Sequence, residues 1–261
     1  MLVLVIAVQS QLGERLSLEG KLHIFRRRPD FVCLPEYCLI HKDLPDFSRA
    51  ALDIRENLKY LEYLSMEMDT CLIGGSVVEA DRDALYNSAY VFQRGAVVGR
   101  YRKLNPVSGE ISKGILPGDR VFTATVDGVK IGIMICADAL NPGLFDVMAR
   151  ENIDIIFIPT TSPHRPAESK TEKHKRDNDI YVRGADSAGA FVVKTCAVGT
   201  LFEKPLQGRT LIAAPWGILG RVPIHQESER TMLSLVLDID EIRDFRKKRR
   251  RCTVSDTSPL I

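Results

Sequence analysis

Short apolar runs rich in β-branched residues recur along the chain, and segments with helical periodicity separate many of them. Runs of this length, bounded by polar or turn-forming residues, are typical of buried β-strands. The pattern predicts strands at Val3–Val8, Phe31–Leu34, Cys71–Val78, Ser88–Phe92, Lys130–Ile135, Ile153–Ile158, Ala190–Thr195, Thr210–Ala214 and Met232–Leu237.

The clearest helical pattern covers residues 47–64, where apolar side chains recur every three or four positions and form one stripe. Similar patterns predict helices at Leu12–Phe25, Leu140–Arg150 and Glu168–Ser187. Helices that alternate with strands, some of the strands being consecutive, are typical of a layered α/β protein.

Composition and charge narrow the possible classes of function. The 261 residues are 45% hydrophobic and 27% charged, with a formal net charge of +2, which is ordinary for a globular protein. A chain of this length can bury a large core without disulfides. Because no change of composition marks a second domain, we expect one domain at residues 1–245 and a basic tail at 246–261. The small net charge gives no reason to expect nucleic acid or a membrane as partner.

The N-terminal stretch "MLVLVIAVQSQ" is apolar but lacks a basic leading region and a small-residue cleavage site, so it predicts a first strand. No apolar run is long enough to span a bilayer. We therefore expect a cytoplasmic protein whose six cysteines are reduced thiols. Cys33, Cys38 and His41 lack an evident fourth ligand, and we expect neither a metal nor another cofactor.

Two basic clusters occur at Arg26–Arg28 and Lys247–Arg251. One interpretation is a patch for an anionic partner. We favour solvated helix ends, because basic side chains near a helix C-terminus complement its dipole.

One of the predicted strands ends at a residue that can act as a nucleophile. In "VKIGIMICADALNPG" the apolar run Lys130–Ile135 delivers Cys136 to its carboxyl end, two residues before Asp138. A buried structural thiol is the common fate of an intracellular cysteine, and that interpretation suits Cys71 and Cys196. Ligand and catalytic groups, however, concentrate at the carboxyl ends of strands in α/β sheets. Cys136 is therefore a candidate nucleophile.

Charged residues follow two other predicted strands. Glu36 comes directly after Pro35, which cannot continue a central strand. Lys103 and Glu110 lie in the loop "YRKLNPVSGE", after an apparent strand pair. Each alone is an ordinary surface charge. Together with Cys136 they supply a thiol, an amine and two carboxylates at the ends of apolar strands.

The order of these residues resembles that of the carbon–nitrogen hydrolase, or nitrilase, superfamily. Its catalytic set is Glu, Lys and Cys in that chain order, with a second Glu shortly after the Lys. The resemblance covers nearly the whole chain and extends to the segments "VLVIAVQ", "IDIIFIPTTSP", "YVRGADSAGAFVVKTCAVG" and "GRTLIAAPWGILG". Any one of these motifs is weak, whereas the ordered set is strong.

The resemblance implies a four-layer α-β-β-α sandwich that forms homodimers or larger homo-oligomers, with residues 239–261 as a possible dimer element. It also implies roles in the hydrolysis of a small amide. Cys136 would attack the carbonyl, Glu36 would act as general base and acid, and Lys103 would stabilise the oxyanion. Glu110 would orient Glu36 and Lys103.

Several positions depart from the family pattern. In the amidase branches the nucleophile is usually followed by an aromatic residue, then Asp, then a run similar to Arg-Phe-Pro-Glu. Here Ala137-Asp138-Ala139-Leu140 follows, and the Arg and the Glu of that run are missing. The usual Glu-Asn pair of the later helix is Asp186-Ser187, the usual Asn of the next strand is missing from Thr195-Cys196-Ala197, and the usual Ser of the late hairpin is Thr210. These changes affect the pocket wall, so they bear on the substrate more than on the chemistry.

We expect hydrolysis of a small linear amide, carbamoyl or ureido compound with release of ammonia or an amine. Nitrile hydrolysis is an alternative, although nitrile-cleaving members usually have Trp-Glu after the nucleophile. A family-shaped binding protein that has lost catalysis is another. A Cys–His hydrolase using His164 or His225 has no local sequence support. Candidate substrate-binding residues are Tyr37, Ala137, Asp138, Thr161 and His164, although for Asp138 we favour a structural role.

Overall fold

The structure is a computed structural model that describes residues 1–255, with the side chains of residues 1–251. The strands are β1 Leu2–Gln11, β2 Phe31–Cys33, β3 Cys71–Ile73, β4 Val77–Asp81, β5 Ala84–Gln93, β6 Ala96–Arg102, β7 Phe122–Val126, β8 Val129–Ile133, β9 Ile155–Thr160, β10 Phe191–Leu201, β11 Lys204–Leu206, β12 Leu211–Ala214, β13 Gly217–Arg221 and β14 Thr231–Asp238. The helices are α1 Leu18–Arg27, α2 Phe47–Leu52, α3 Ile54–Glu67, α4 Ser108–Ile111, α5 Pro142–Arg150, α6 Lys170–Asp177, α7 Arg183–Ala188 and α8 Ile239–Ser255.

The strands form one curled sheet whose two halves face each other. In one half β14, β1, β2, β3 and β5 lie side by side, and β4 and β6 also pair with β5. In the other half the path runs β10, β9, β8 and β7, and β12 and β13 extend it beside β10. The halves are joined where β1 and β10 pair in parallel, with Ser10 opposite Ala197. The parallel strands β2, β8, β9 and β10 bring their carboxyl ends to one rim.

The space between the two halves is filled by inward-facing apolar side chains, which alternate along most of the strands. Val5 and Ala7 of β1 face this layer, as do Ile131 and Ile133 of β8. The rings of Phe31 and Phe157 meet across it with centroids 5.6 Å apart.

Helices cover both outer faces of the sheet. Ile24 of α1 and Leu61 of α3 pack with Ile6 on one side. Phe145 and Met148 of α5, together with residues of α7, pack on the other. The layers therefore follow the order α-β-β-α, and the predicted four-layer sandwich is confirmed.

Three of the predicted elements whose bounds differ in the structure have a clear local cause. The helix predicted from Leu12 begins at Leu18, where Ser17 caps it by accepting a hydrogen bond from Gly20 N at 3.1 Å. The long pattern at 47–64 divides into α2 and α3 at Asp53. The run at 71–78 divides into β3 and β4, because Gly75 turns the chain with a φ of +66°.

The C-terminal helix α8 is continuous through residue 246, where we expected the domain to end. Arg246 donates hydrogen bonds to Asp154 Oδ1 at 2.6 Å, to Ile153 O at 2.7 Å and to Gly189 O at 2.9 Å. Asp154 also accepts from Arg243, at 2.6 Å. The first part of the expected tail is thus tied to the body of the protein, while residues 256–261 lie outside the described part.

Among the described residues, no helix has the length and apolar character needed to cross a bilayer.

The clamp around Asp154 predicts that Arg246 stabilises the fold. Arg246→Ala removes three hydrogen bonds, one of them to a buried carboxylate, and should lower the free energy of unfolding by about 2–3 kcal/mol. Chemical denaturation measures this change. Lys248→Ala, an exposed position on the same helix, is the matched control and should change stability by less than about 0.5 kcal/mol. Equal effects of the two substitutions would contradict the clamp.

Candidate active site

The groups predicted to carry chemistry meet in one cavity of about 620 Å³. Glu36 follows β2, Lys103 follows β6 and Cys136 lies just past β8, while Glu110 lies on the short helix α4. All four side chains line the cavity. The fold therefore brings side chains from four distant segments of the sequence together in one site.

The loop that carries Glu36 is fixed by close packing against the turn after β3. A Cβ at Gly75 would lie 2.0 Å from Pro35 O, so only glycine permits this approach. Tyr37 adopts a φ of +55°, and its N–H donates to Ser76 Oγ at 3.0 Å. Residues on both sides of Glu36 are thus held by the backbone, which leaves the carboxylate little freedom.

Four hydrogen bonds hold the Glu36 carboxylate. Oε1 accepts from Lys103 Nζ and from Asn87 Nδ2, both at 2.8 Å. Oε2 accepts from Thr161 N at 2.8 Å and from Thr161 Oγ1 at 2.5 Å. Glu36 is fully buried, and an ionised carboxylate can remain buried only with such partners.

Glu110 is held in the same network from the opposite side of Lys103. Its Oε2 accepts from Lys103 Nζ at 2.7 Å and from Val107 N at 2.8 Å. Its Oε1 accepts from Tyr37 Oη at 2.6 Å and from Asn87 Nδ2 at 2.9 Å. The ammonium of Lys103 therefore lies between two carboxylates, and both are fully engaged.

Asn87 is a site residue that the sequence analysis missed. It lies on β5 with no exposed surface, and its single NH₂ group donates to both carboxylates. Because carboxylates only accept, the amide must present nitrogen, not oxygen, to them. Asparagine is depleted in β-strands, and that was the available signal.

The charges of the network stabilise one another. Burial works against the charge of Lys103, but Glu36 and Glu110 outweigh it, and the pKa of the ammonium is raised above its ordinary value. Burial likewise opposes the Glu110 anion, but Lys103, Tyr37 and Val107 N–H lower the pKa of that carboxyl below its ordinary value. At neutral pH the site therefore holds a permanent ammonium and an ionised Glu110.

Cys136 begins a 3₁₀ turn, Cys136–Leu140, directly after the buried run of β8. Its φ is +46°, a left-handed value that costs energy in a non-glycine residue and recurs at functional sites. The thiol donates to Thr161 O at 3.3 Å. Burial and the Glu36 carboxylate raise the pKa of the Cys136 thiol, and Lys103 only partly offsets them. The resting sulfur is therefore a neutral thiol.

Asp138 holds the start of this turn by hydrogen bonds. The buried carboxylate accepts from Ile135 N at 2.8 Å, Asn105 N at 2.7 Å and Tyr101 Oη at 2.7 Å. It is not among the cavity-lining residues. The structure thus places Asp138 where it fixes the residue before the nucleophile, and not where a substrate would touch it.

Of the other candidate substrate-binding residues, three line the cavity and one does not. Tyr37, Ala137 and Thr161 line the cavity. The Tyr37 hydroxyl and both donors of Thr161 are engaged by Glu110 and Glu36, so these side chains also support the network. His164 is exposed, and the cavity lining does not include it.

A second part of the cavity wall is basic, which the sequence analysis did not predict. It comprises Arg165, Arg176, Lys194, Lys204 and Arg209, with Asp177 among them. The available signal was Lys194, a lysine inside the apolar run "FVVKTCAV". The cavity therefore joins a site of two carboxylates and one ammonium to a wall with an excess of cations.

Comparison with known proteins agrees with this geometry. The sequence model of the family described as "Carbon-nitrogen hydrolase" matches residues 7–247. The chain is 29% identical to Omega-amidase NIT2-A of Xenopus laevis over 216 residues, which are 75% of this chain and 74% of that protein. It is 26% identical to Omega-amidase NIT2 of Homo sapiens over 207 residues, 74% of this chain and 70% of that protein.

Solved structures show the same fold. A carbon-nitrogen hydrolase from Helicobacter pylori G27 superposes with a TM-score of 0.80 at 19% identity, covering 95% of this chain and 93% of that one. An amidase from Nesterenkonia sp. AN1, with an acetamide moiety added covalently at its active-site cysteine, gives a TM-score of 0.75 at 15% identity over 95% of both chains. The match of the family model across almost the entire chain is decisive: this protein belongs to the carbon–nitrogen hydrolase (nitrilase) superfamily, in its amidase-like branch, and is a cysteine-dependent carbon–nitrogen hydrolase.

Proposed function

We propose that this protein hydrolyses the C–N bond of a small linear amide, carbamoyl or ureido compound through a thioester on Cys136. The observation that carries the proposal is the buried network of Glu36, Lys103 and Glu110 beside Cys136 in one cavity. The similarity of the chain to proteins named omega-amidase supports an amide substrate over a nitrile substrate. The cavity of about 620 Å³ suits a small molecule.

A neutral thiol must lose its proton as it attacks. Because burial and Glu36 raise the pKa of Cys136, little thiolate exists beforehand, and the attack needs a general base. Glu36 is the base. The S–C bond forms as the proton passes to the Glu36 carboxylate, and the electron pair of the carbonyl moves onto its oxygen.

The resulting oxyanion needs donors that are already in place. An ammonium has three N–H bonds, and Glu36 and Glu110 accept only two hydrogen bonds from Lys103. The third is left for the oxyanion, together with the backbone N–H of Ala137. Since the pKa of Lys103 is raised, this donor keeps its charge at neutral pH.

The intermediate collapses when protonated Glu36 gives its proton to the leaving nitrogen and the C–N bond breaks, so that ammonia or an amine departs. Water then attacks the thioester, with Glu36 again taking a proton. The C–S bond then breaks as the carbonyl re-forms, protonated Glu36 returns its proton to the sulfur, and the acid product leaves the regenerated thiol. Glu110 and Asn87 touch Glu36 and Lys103 and hold them in position, so both are positioning residues.

The proposal predicts that Cys136→Ala abolishes turnover. Ammonia release from a panel of small amides, carbamoyl compounds, ureido acids and nitriles should fall by at least about 10³-fold. Cys71→Ala is the control, because Cys71 is a buried free thiol that lies outside the cavity. Both variants are first checked for a native thermal transition. The proposal would be refuted if folded Cys136→Ala released ammonia as fast as wild type, or if wild type released ammonia from nitriles alone.

The network also predicts a graded response at Asn87. Asn87→Ala removes one hydrogen bond from each carboxylate and should lower kcat/KM by about 10- to 100-fold. Asn87→Asp should lower it further and shift the acidic limb of the pH–rate profile upward, because a third carboxylate would raise the pKa of Glu110. Steady-state kinetics against pH measure both effects. An unshifted acidic limb in Asn87→Asp would show that Asn87 has only a structural role.

A further inference from the structure

The basic part of the cavity wall carries more positive charge than the nearby carboxylates balance. Asp177 forms an ion pair with Arg209 at 2.6 Å and accepts a hydrogen bond from Arg221 at 2.5 Å. Glu168 accepts from Arg176 at 2.8 Å and lies 3.6 Å from Arg209. Two carboxylates therefore already serve three guanidinium groups before any lysine is counted.

Lys194 is buried in this wall and has no close ionic partner. It lies on β10 with only 2% of its surface exposed, and its side chain lines the cavity. Its closest carboxylate oxygen is Asp177 Oδ1, at 3.7 Å, which is too far for a hydrogen bond. The Tyr181 ring lies 4.8 Å from its ammonium. The Cys196 side chain is also close. A ring, a thiol and one shared, distant carboxylate leave a buried ammonium without a full ionic partner, which is a costly arrangement unless something else pairs with it.

The charge state of Lys194 is consistent with that role. Burial works against its charge, but Cys196, Tyr181 and Asp177 outweigh burial and raise the pKa of the ammonium. Arg165 and Lys204 line the same wall, and neither makes an ion pair within the part of the chain that the structure describes. An anion entering this part of the cavity would meet several cations that lack full partners.

We propose that the substrate carries an anionic group, a carboxylate or a phosphate, in addition to the scissile amide, and that Lys194 binds this group. The proposal rests on the proposed function and narrows its substrate class. The anionic group would neutralise Lys194 while the amide carbonyl lies at Cys136. Lys194 is thus a specificity-determining residue that takes no part in the chemical steps.

The test compares three amides of similar length: the monoamide of glutaric acid, the methyl ester of that monoamide, and the analogue whose carboxylate is replaced by a phosphonate. Ammonia release gives kcat/KM for each. At least one anionic amide should exceed the neutral ester by about 30-fold or more, and the better of the two identifies the anion. Equal kcat/KM for the neutral and both anionic amides would overturn the inference while leaving the proposed function intact.

Variants locate the effect at Lys194. Lys194→Met should raise KM for the anionic amide by about 30-fold, with little change in kcat and with the neutral ester unaffected, and Lys194→Arg should restore part of the loss. Lys248→Met, an exposed position on α8, removes the same charge and should change nothing. An equal loss for charged and neutral amides in Lys194→Met would mean that Lys194 has only a structural role.

Binding decides the matter if none of the three amides is turned over. Calorimetric titration of the Cys136→Ala protein should then give a lower Kd for an anionic amide than for the ester, and Lys194→Met in that background should remove the difference. Equal or absent binding of all three would overturn the inference. Failure of turnover with preserved selective binding would count against the proposed function alone.

Discussion

The ammonium of Lys103, buried between the carboxylates of Glu36 and Glu110, is the interaction on which the site depends. Burial works against the charges of Lys103 and Glu110, and the two ion pairs that Lys103 makes offset that cost. Asn87, Tyr37 and Thr161 complete the hydrogen bonds, so removing any of these three leaves a buried carboxylate with at least one hydrogen bond fewer. The network explains both why these positions are so completely buried and why the thiol beside them stays neutral.

The fold supplies the distances that the network requires. Parallel strands end at a common rim, and the residues that follow β2 and β8 are therefore neighbours although a hundred positions separate Glu36 from Cys136. Two local devices refine the placement. Gly75 lets the backbone pass close to Pro35, and Asp138 fixes the start of the turn that gives Cys136 its left-handed conformation.

The sequence was sufficient to predict the layered fold and to nominate Glu36, Lys103, Glu110 and Cys136, because strand periodicity and residue order are local properties of the chain. It was insufficient for Asn87 and Lys194, whose meaning depends on which face of a strand meets which neighbour. The predicted strand at 71–78 and the predicted helix at 47–64 were also too long. Each continuous apolar pattern is divided in the structure, the strand at Gly75 and the helix at Asp53. The role of a polar residue in a buried strand becomes visible only when its partners across the sheet are known.

The central claim is that Cys136 rests as a neutral thiol and reacts only with the help of Glu36. Far-ultraviolet absorbance of the thiolate, recorded against pH as the difference between wild type and Cys136→Ala, tests it most directly. The account predicts no thiolate signal from Cys136 through about pH 8.5, the ordinary pKa of a cysteine, because burial and the Glu36 carboxylate raise the pKa of this thiol. A thiolate step at or below that pH would contradict the account and indicate a preformed nucleophile paired with Lys103.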